Sequence, residues 1–295
     1  MQIVPGDVDP SHEIVEPARP RAAILFSSPH SGRVYPRKFL DQSKLDALTL
    51  RRSEDAFVDE LFLGVVERGL PLLRANFPRA YLDVNREPYE LDPRMFVGRL
   101  PPFANTRSVR VAGGLGTIAR VVSETEEIYA GPLPIEEALE RIERHHKPYH
   151  RAIRAVAGRL RRLGGAILVV DCHSMPSQAR TLTNGRQTDI VLGDRYGTSC
   201  APDVIDVVQD RLERLGYTVG RNKPYAGGFI TEQYGQPHAG MQALQIEVCR
   251  GLYMDERRCV KTGGFAWLAS DLMRVVDSLI ALGPLAATPR AEAAE

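Results

Sequence analysis

Short runs of consecutive apolar residues recur along the chain, and each breaks off into polar ones. Ala22 to Phe26 opens the series, and PLLRANF, from Pro71 to Phe77, follows. Gly164-Gly165 leads into AILVV before DCHSMP, and TDIVLGDR and ALQIEVCR repeat the form. Runs of this length bounded by turn residues read as strands buried on both faces. Between them the apolar positions change to helical spacing. From Asp41 to Arg68 they fall at Leu45, Leu48, Phe57, Val58, Leu61, Phe62 and Val65, which predicts helices there. Glu136 to Leu163 has the clearest stripe, through Leu139, Ile142, His146, Tyr149, Ile153, Val156 and Leu160, with Pro148 placed to kink it. Asp203 to Leu215 predicts a helix stopped by Gly216, and Phe265 to Leu282 a closing one. Strands alternating with helices predict an α/β protein with a mostly parallel sheet covered on both faces. Residues 98–117, rich in Gly, Pro, Arg and Asn, read as a long functional loop. Residues 1–21 read as an extended lead-in and 284–295 as a disordered tail. There is no internal repeat and no Gly/Ser linker, so one domain spanning 1–295 is expected.

Composition narrows the classes. The chain has 295 residues, 43% apolar and 25% charged, which suits a folded protein with a sizeable core. Thirty-eight basic residues against 37 acidic give a net charge of +1, without the basic excess of a nucleic-acid or membrane-surface protein. No apolar run approaches a membrane span, and the acidic, Pro-containing start does not resemble a signal peptide. Cys172, Cys200, Cys249 and Cys259 form no CxxC pair, so free thiols in a reducing cytoplasm are expected. A small-molecule ligand is the expected partner, with no nucleic acid and no membrane, and a homo-oligomer stays open.

In an open α/β sheet, ligands bind beyond the carboxyl ends of the strands. The polar residues standing there are Ser28-Pro29-His30-Ser31, Asp83-Asn85-Arg86, Asp171-His173-Ser174 and Glu247-Arg250. Either histidine alone reads first as structural. Two of them at equivalent strand ends, each beside a serine, point toward a metal, and two histidines plus a carboxylate make a common zinc set. Glu54, Asp55 and Asp59 are candidates for the carboxylate, although Ser53 with acids in a first turn also reads as helix capping. Asp171 stands two residues before His173, on the same face of a strand, where it can orient the imidazole. Glu247 lies in an apolar strand, where poor solvation raises a carboxylate's pKa and suits a general base; a structural ion pair with Arg250 is the alternative. Arg86 and Arg250 are candidates to bind a substrate carboxylate. His145, His146 and His150 lack an HExxH pattern, though His150 or Tyr149 could reach the site. There is no GxSxG elbow and no GxxxxGK[ST] loop. Gly113 to Gly116 and Gly227-Gly228 read as flexible loops able to close over a substrate.

SPHSGR, SEDAFVDELF, YLDVNREP, KPYH, DCHSMPS, GDRYGTSC, YAGGFITEQYGQP and LQIEVCRGLYMDE, in order from about Ala23 to Glu256, resemble the N-formylglutamate amidohydrolase family. The resemblance implies a Zn2+-dependent hydrolase splitting an N-formyl amino acid, N-formyl-L-glutamate in histidine degradation, to formate and the free amino acid. It implies a three-layer αβα fold of the zinc-dependent exopeptidase type, phosphorylase/hydrolase-like, with an eight-stranded mixed sheet. On the same resemblance His30 and His173 stand as metal ligands, Glu247 as the catalytic glutamate, and Asn85-Arg86 as the carboxylate-binding pair. Arg33 occupies the place where exopeptidases of this type carry their glutamate ligand. The carboxylate must therefore come from elsewhere; Asp55 is chosen, with Glu54 and Asp59 open. Arg250 is expected to bind a second carboxylate or an oxyanion. Other readings are a deacylase or carboxypeptidase-like hydrolase of another N-acyl amino acid or small peptide, and a non-catalytic ligand-binding protein.

Overall fold

The structure, a computed structural model, describes residues 1–122 and 126–285. Its centre is a sheet of β1 (His12–Val15), β2 (Ile24–Ser28), β3 (Leu72–Ala75), β4 (Ile167–Met175), β5 (Ile190–Gly193), β6 (Val219–Arg221) and β7 (Met241–Cys249). Their order across the sheet is β6-β5-β7-β4-β2-β3-β1. The pairs β6/β5, β7/β4, β4/β2 and β2/β3 are parallel, while β5/β7 and β3/β1 are antiparallel. The sheet is mixed and mostly parallel, as the sequence implies, but the described residues give it seven strands and not eight. The lead-in is more than extended chain, because His12–Val15 hydrogen-bonds to β3 as an edge strand. The expected tail lies outside the described residues from 286 onward.

The period of two along each strand divides the core. Leu25, Leu73, Ile167, Val169 and Ala243 face a layer that includes Ile142, Tyr149, Ile153 and Val156. Ile24, Phe26, Leu168, Val170, Leu244 and Ile246 face Val204, Val208, Leu212, Leu268, Leu272 and Val276. The first layer holds α1 (Ile135–Arg141) and α2 (Lys147–Leu160); the second holds α3 (Pro202–Arg214) and α5 (Gly264–Ala281), with α4 (Phe229–Tyr234) between α3 and α5 in the chain. The result is a three-layer αβα arrangement. The long stripe from Glu136 is not one helix: a wide π turn, Ile142–His146, joins α1 to α2 just before Pro148. Proline has no N–H to give the preceding turn, and a π turn absorbs that break while the apolar stripe continues. The stretch 41–68 is short helices and turns, Ala47–Arg51 and Val58–Leu61 among them. No helix among the described residues is long and apolar enough to cross a membrane. All four cysteines are buried free thiols.

Candidate active site

Along one face of β4 the apolar Ile167 and Val169 give way to Asp171 and His173; along the same face of β7, Ala243 gives way to Gln245 and Glu247. The strands are parallel and in register, so Glu247 lies beside His173. His30 follows β2, the neighbour of β4 on its other side. Three carboxyl-terminal strand ends thus deliver two imidazoles and a glutamate to one edge. Gly32, after His30, lets the chain pass close to Phe77: a Cβ there would stand 2.0 Å from the Phe77 carbonyl oxygen. The segment carrying Asp55 is stitched to this loop, with the Asp55 N–H donating to the His30 carbonyl at 3.0 Å and the Ser31 hydroxyl to the Asp55 carbonyl at 3.0 Å. Phe57, two residues on, adopts a left-handed conformation (φ +66°), uncommon for a bulky side chain, before the short helix Val58–Leu61.

His30, Asp55 and His173 converge, their nearest donor atoms all within 4.8 Å of one another. Asp55 Oδ2 lies 2.9 Å from His173 Nδ1 and 3.4 Å from His30 Nδ1, and His30 Nδ1 is buried without a hydrogen-bond partner. Each imidazole is held from behind through its other nitrogen: His30 Nε2 is 2.7 Å from Asp83 Oδ1, and His173 Nε2 is 2.8 Å from Asp171 Oδ2. In the neutral form of each imidazole, with its proton given to the rear carboxylate, both Nδ1 lone pairs face Asp55. That pattern, two imidazoles backed by carboxylates plus one carboxylate with an orphaned buried nitrogen among them, fits a zinc ion. Burial opposes charge on Asp55, but the adjoining His173 and His30 imidazoles hold its carboxyl well below the usual range. Burial likewise opposes an imidazolium at His173, yet Asp171 and Asp55 hold that group well above its ordinary value.

The surrounding cavity, of about 430 Å³, is walled by Glu247, Asp83, Ser174 and Tyr225 and by five arginines: Arg52, Arg79, Arg86, Arg110 and Arg250. Burial pushes the Glu247 carboxyl up to about 7. Its Oε1 accepts from Gln245 Nε2 at 2.9 Å, and Gln245 Oε1 in turn accepts the Gly228 N–H at 2.8 Å, so the chain itself fixes which end of the amide faces Glu247. Arg86 donates Nε to the Leu115 carbonyl and Nη1 to the Asn85 carbonyl, with Asp83 Oδ2 only as near as 3.8 Å; burial lowers this arginine to about 10. Arg79 gives Nε to Asp83 Oδ2 at 3.0 Å. Both expected loops border the cavity, through Leu115-Gly116 and Gly227-Gly228.

Several residues stand elsewhere than the sequence suggests. Glu54 turns away from the histidines to Tyr35 and Arg51, and Asp59 to Arg33 and Arg74. Ser53 caps nothing; its hydroxyl donates back to the Leu50 carbonyl. Asn85 borders the cavity but spends its amide inside the protein: Oδ1 accepts from Ile230 N–H at 2.7 Å, and Nδ2 donates to Asp171 at 3.0 Å. Arg250 pairs with Asp55 at 3.1 Å, so the ion pair considered for Glu247 goes to a different acid. Tyr149 bonds Ser27, and His150 bonds the Val84 carbonyl, supporting the site from behind. Arg79, Arg110 and Gln245 received no role from the sequence. Gln245 had a readable signal, two residues before Glu247 on the same strand face, whereas a loop arginine carries none.

A profile of the N-formylglutamate amidohydrolase family matches residues 22–254. An N-formylglutamate deformylase of Pseudomonas aeruginosa is 29% identical over 253 residues, covering 83% of this chain and 87% of that protein. One from Pseudomonas putida is 29% identical over 239 residues, covering 80% and 83%. The crystal structure of an N-formylglutamate amidohydrolase from Ralstonia eutropha superposes with a TM-score of 0.86 at 34% identity, covering 93% of this chain and 98% of that one. A protein from Agrobacterium tumefaciens, 19% identical, shares the fold with a TM-score of 0.63 over 92% and 96%. The protein is therefore an α/β enzyme of the amide-hydrolysing class. More narrowly, the chain belongs to the N-formylglutamate amidohydrolase family.

Proposed function

We propose that the protein hydrolyses an N-formyl amino acid, N-formyl-L-glutamate foremost, to formate and the free amino acid, with a zinc ion held by His30 Nδ1, Asp55 Oδ2 and His173 Nδ1. The observation that carries this reading is the convergence of those three atoms beside Glu247 in an arginine-walled cavity. Zinc in such a site supplies Lewis acidity and lowers the pKa of water. The protein's own part is as follows. Glu247 takes one proton from the attacking water as its oxygen adds to the formyl carbon, and delivers a proton to the nitrogen as the C–N bond breaks. Its raised pKa suits both halves of that transfer. The rear carboxylates Asp83 and Asp171 keep the imidazoles aimed. Arg86 and Arg79, whose donors are only partly used within the protein, receive a substrate carboxylate.

The cavity's charge supports a substrate with two negative groups. Five arginines border it against Asp55, Asp83 and Glu247, so cationic side chains outnumber anionic ones before any metal is added. An N-formyl dicarboxylic amino acid answers that balance better than one with an apolar side chain. Turnover should be measured on N-formyl-L-glutamate, N-formyl-L-aspartate, N-formyl-L-leucine and N-acetyl-L-glutamate, with zinc content quantified. The reading requires stoichiometric zinc and the highest kcat/KM on N-formyl-L-glutamate. A preference for N-acetyl over N-formyl substrates, or full activity after complete metal removal, would overturn it.

A further inference from the structure

We propose that Arg250 is a positioning residue that fixes which oxygen of Asp55 faces the two imidazoles, and that it does not receive the substrate. This rests on the reading that His30, Asp55 and His173 hold a metal. The two histidines are aimed by carboxylates on or near the sheet. Asp55 stands on a loop and has no such neighbour in its own segment, yet it is only 1% exposed and must be oriented by something. Its Oδ2 turns to His173 and His30. Its Oδ1 accepts from Arg250 Nη2 at 3.1 Å and from the Ser174 hydroxyl at 3.3 Å.

Arg250 is itself fixed at both edges of its guanidinium. Nε donates to Ser174 Oγ at 3.2 Å, and Nη1 to the Arg52 carbonyl at 2.8 Å. Arg52 lies in the segment that leads into Asp55. The guanidinium at the end of β7 therefore holds that segment twice, by a backbone carbonyl and by a carboxylate 195 residues away in sequence. The Nε/Nη2 edge, which would grip an incoming carboxylate with two parallel bonds, is already filled by Ser174 and Asp55. Arg79 donates Nε to Asp83, and its Nη1/Nη2 edge is the better candidate for such a grip. A guanidinium near a cation also repels it, but its charge is taken up by Asp55, and what it adds is direction for a carboxylate that could otherwise rotate.

The test compares zinc dissociation constants, by chelator competition on metal-stripped protein, for the wild type and for Arg250→Ala, Arg250→Lys and Ser174→Ala. The visible spectrum of each cobalt-loaded protein reads the coordination geometry. Arg250→Ala should bind zinc about 10–100-fold more weakly, the loss usual when a partner behind a metal ligand is removed, with an altered cobalt spectrum. Arg250→Lys should recover part of the affinity, and Ser174→Ala should lose less. At saturating zinc, KM for N-formyl-L-glutamate should stay within about threefold of wild type. Should the Ala variant not fold, the Lys and Ser174→Ala proteins decide. Unchanged or tighter zinc binding, or a tenfold or greater rise in KM with zinc affinity intact, overturns the proposal. A wild type that binds no zinc overturns the metal reading as well, and so separates the two failures.

Discussion

Glu247 stands one strand away from His173, 7% exposed, with the neutral donor Gln245 on its carboxylate. A base in that position contributes about 10²–10⁴-fold to rate. Glu247→Gln keeps size and the cavity wall, so kcat should fall by about that factor while zinc stays bound at full stoichiometry; near-normal turnover in zinc-loaded protein would remove Glu247 from the proton path. Asp83→Asn removes the carboxylate behind His30, and zinc affinity should drop about 10–100-fold, read by chelator competition. What the sequence told about these residues followed from spacing. Asp171 and His173 are two apart on a strand, so a shared face could be read directly. Asp55 could not be separated by spacing from Glu54 and Asp59, because Glu54 and Asp55 lie on a loop, a left-handed turn follows at Phe57, and Asp59 stands on the short helix beyond it, so no single period spans the three. Only their partners distinguish them: Tyr35 and Arg51 take Glu54, Arg33 and Arg74 take Asp59, and Asp55 alone of the three lies against the histidines.

Between β3 and α1 the chain carries Asp83, Asn85 and Arg86 without regular structure, and neighbouring elements hold it in place. His146 Nε2 donates to the Arg86 carbonyl at 2.9 Å and His150 Nε2 to the Val84 carbonyl at 2.8 Å, with the two rings stacked 4.5 Å apart. Burial lowers His146 to about 4 and His150 to about 3; the latter also faces Tyr234, Arg154 and His146. Both folded values lie below the ordinary 6.5, so the folded state binds fewer protons than the unfolded one. Their contribution is full above about pH 6.5 and is lost as pH falls toward about 4 and about 3, several kcal/mol in all. His150→Gln should therefore be less stable than wild type at pH 7, by about 1–2 kcal/mol for a disturbed buried hydrogen bond. In urea unfolding the gap should close as pH falls to 4, and a gap that widens would contradict the sign. Gly228 fixes the same segment from α4: a Cβ there would stand 2.4 Å from Asn85 Nδ2 and 2.5 Å from Oδ1, and that amide is tied at both ends. Gly228→Ala should cost about 1–3 kcal/mol and reduce activity, measured by thermal melts and kcat/KM. At this scale the sequence was legible where both faces of a strand are buried, as in β2, β4, β5 and β7. It was not legible at the edges: His12–Val15 and Val219–Arg221 are short and partly exposed, so neither makes an apolar run. The π turn was hidden too, because the apolar stripe runs through it unbroken.

Over the whole molecule the charge nearly cancels, at +1, and that figure conceals where the charge lies. Arginines from the segments at 52, 79–86 and 110 and from the end of β7 meet around one cavity, although nothing in their sequence positions announces it. Arg110, on the short helix Val109–Ala112 in the long 98–117 loop, is held only loosely, 3.7 Å from Glu90 Oε2. It is a third exposed and can turn toward a second carboxylate. The loop reading of that segment did not reveal that Arg110, Leu115 and Gly116 border the cavity. If the arginine-rich wall selects a dianion, the selection must weaken with salt, because a partly open cavity is screened over a Debye length of about 10 Å at 0.1 M. kcat/KM for N-formyl-L-glutamate should then fall with ionic strength more steeply than for N-formyl-L-leucine. Arg110→Ala should lower kcat/KM about tenfold for the first, the cost of about 1.4 kcal/mol from one partly screened carboxylate contact, and leave the second within about twofold. Equal losses on both substrates would mean that Arg110 shapes the loop and does not read the side-chain carboxylate. Salt slopes identical for the two would mean that the excess of arginines balances the cavity's own carboxylates, Asp55, Asp83 and Glu247, and not the substrate.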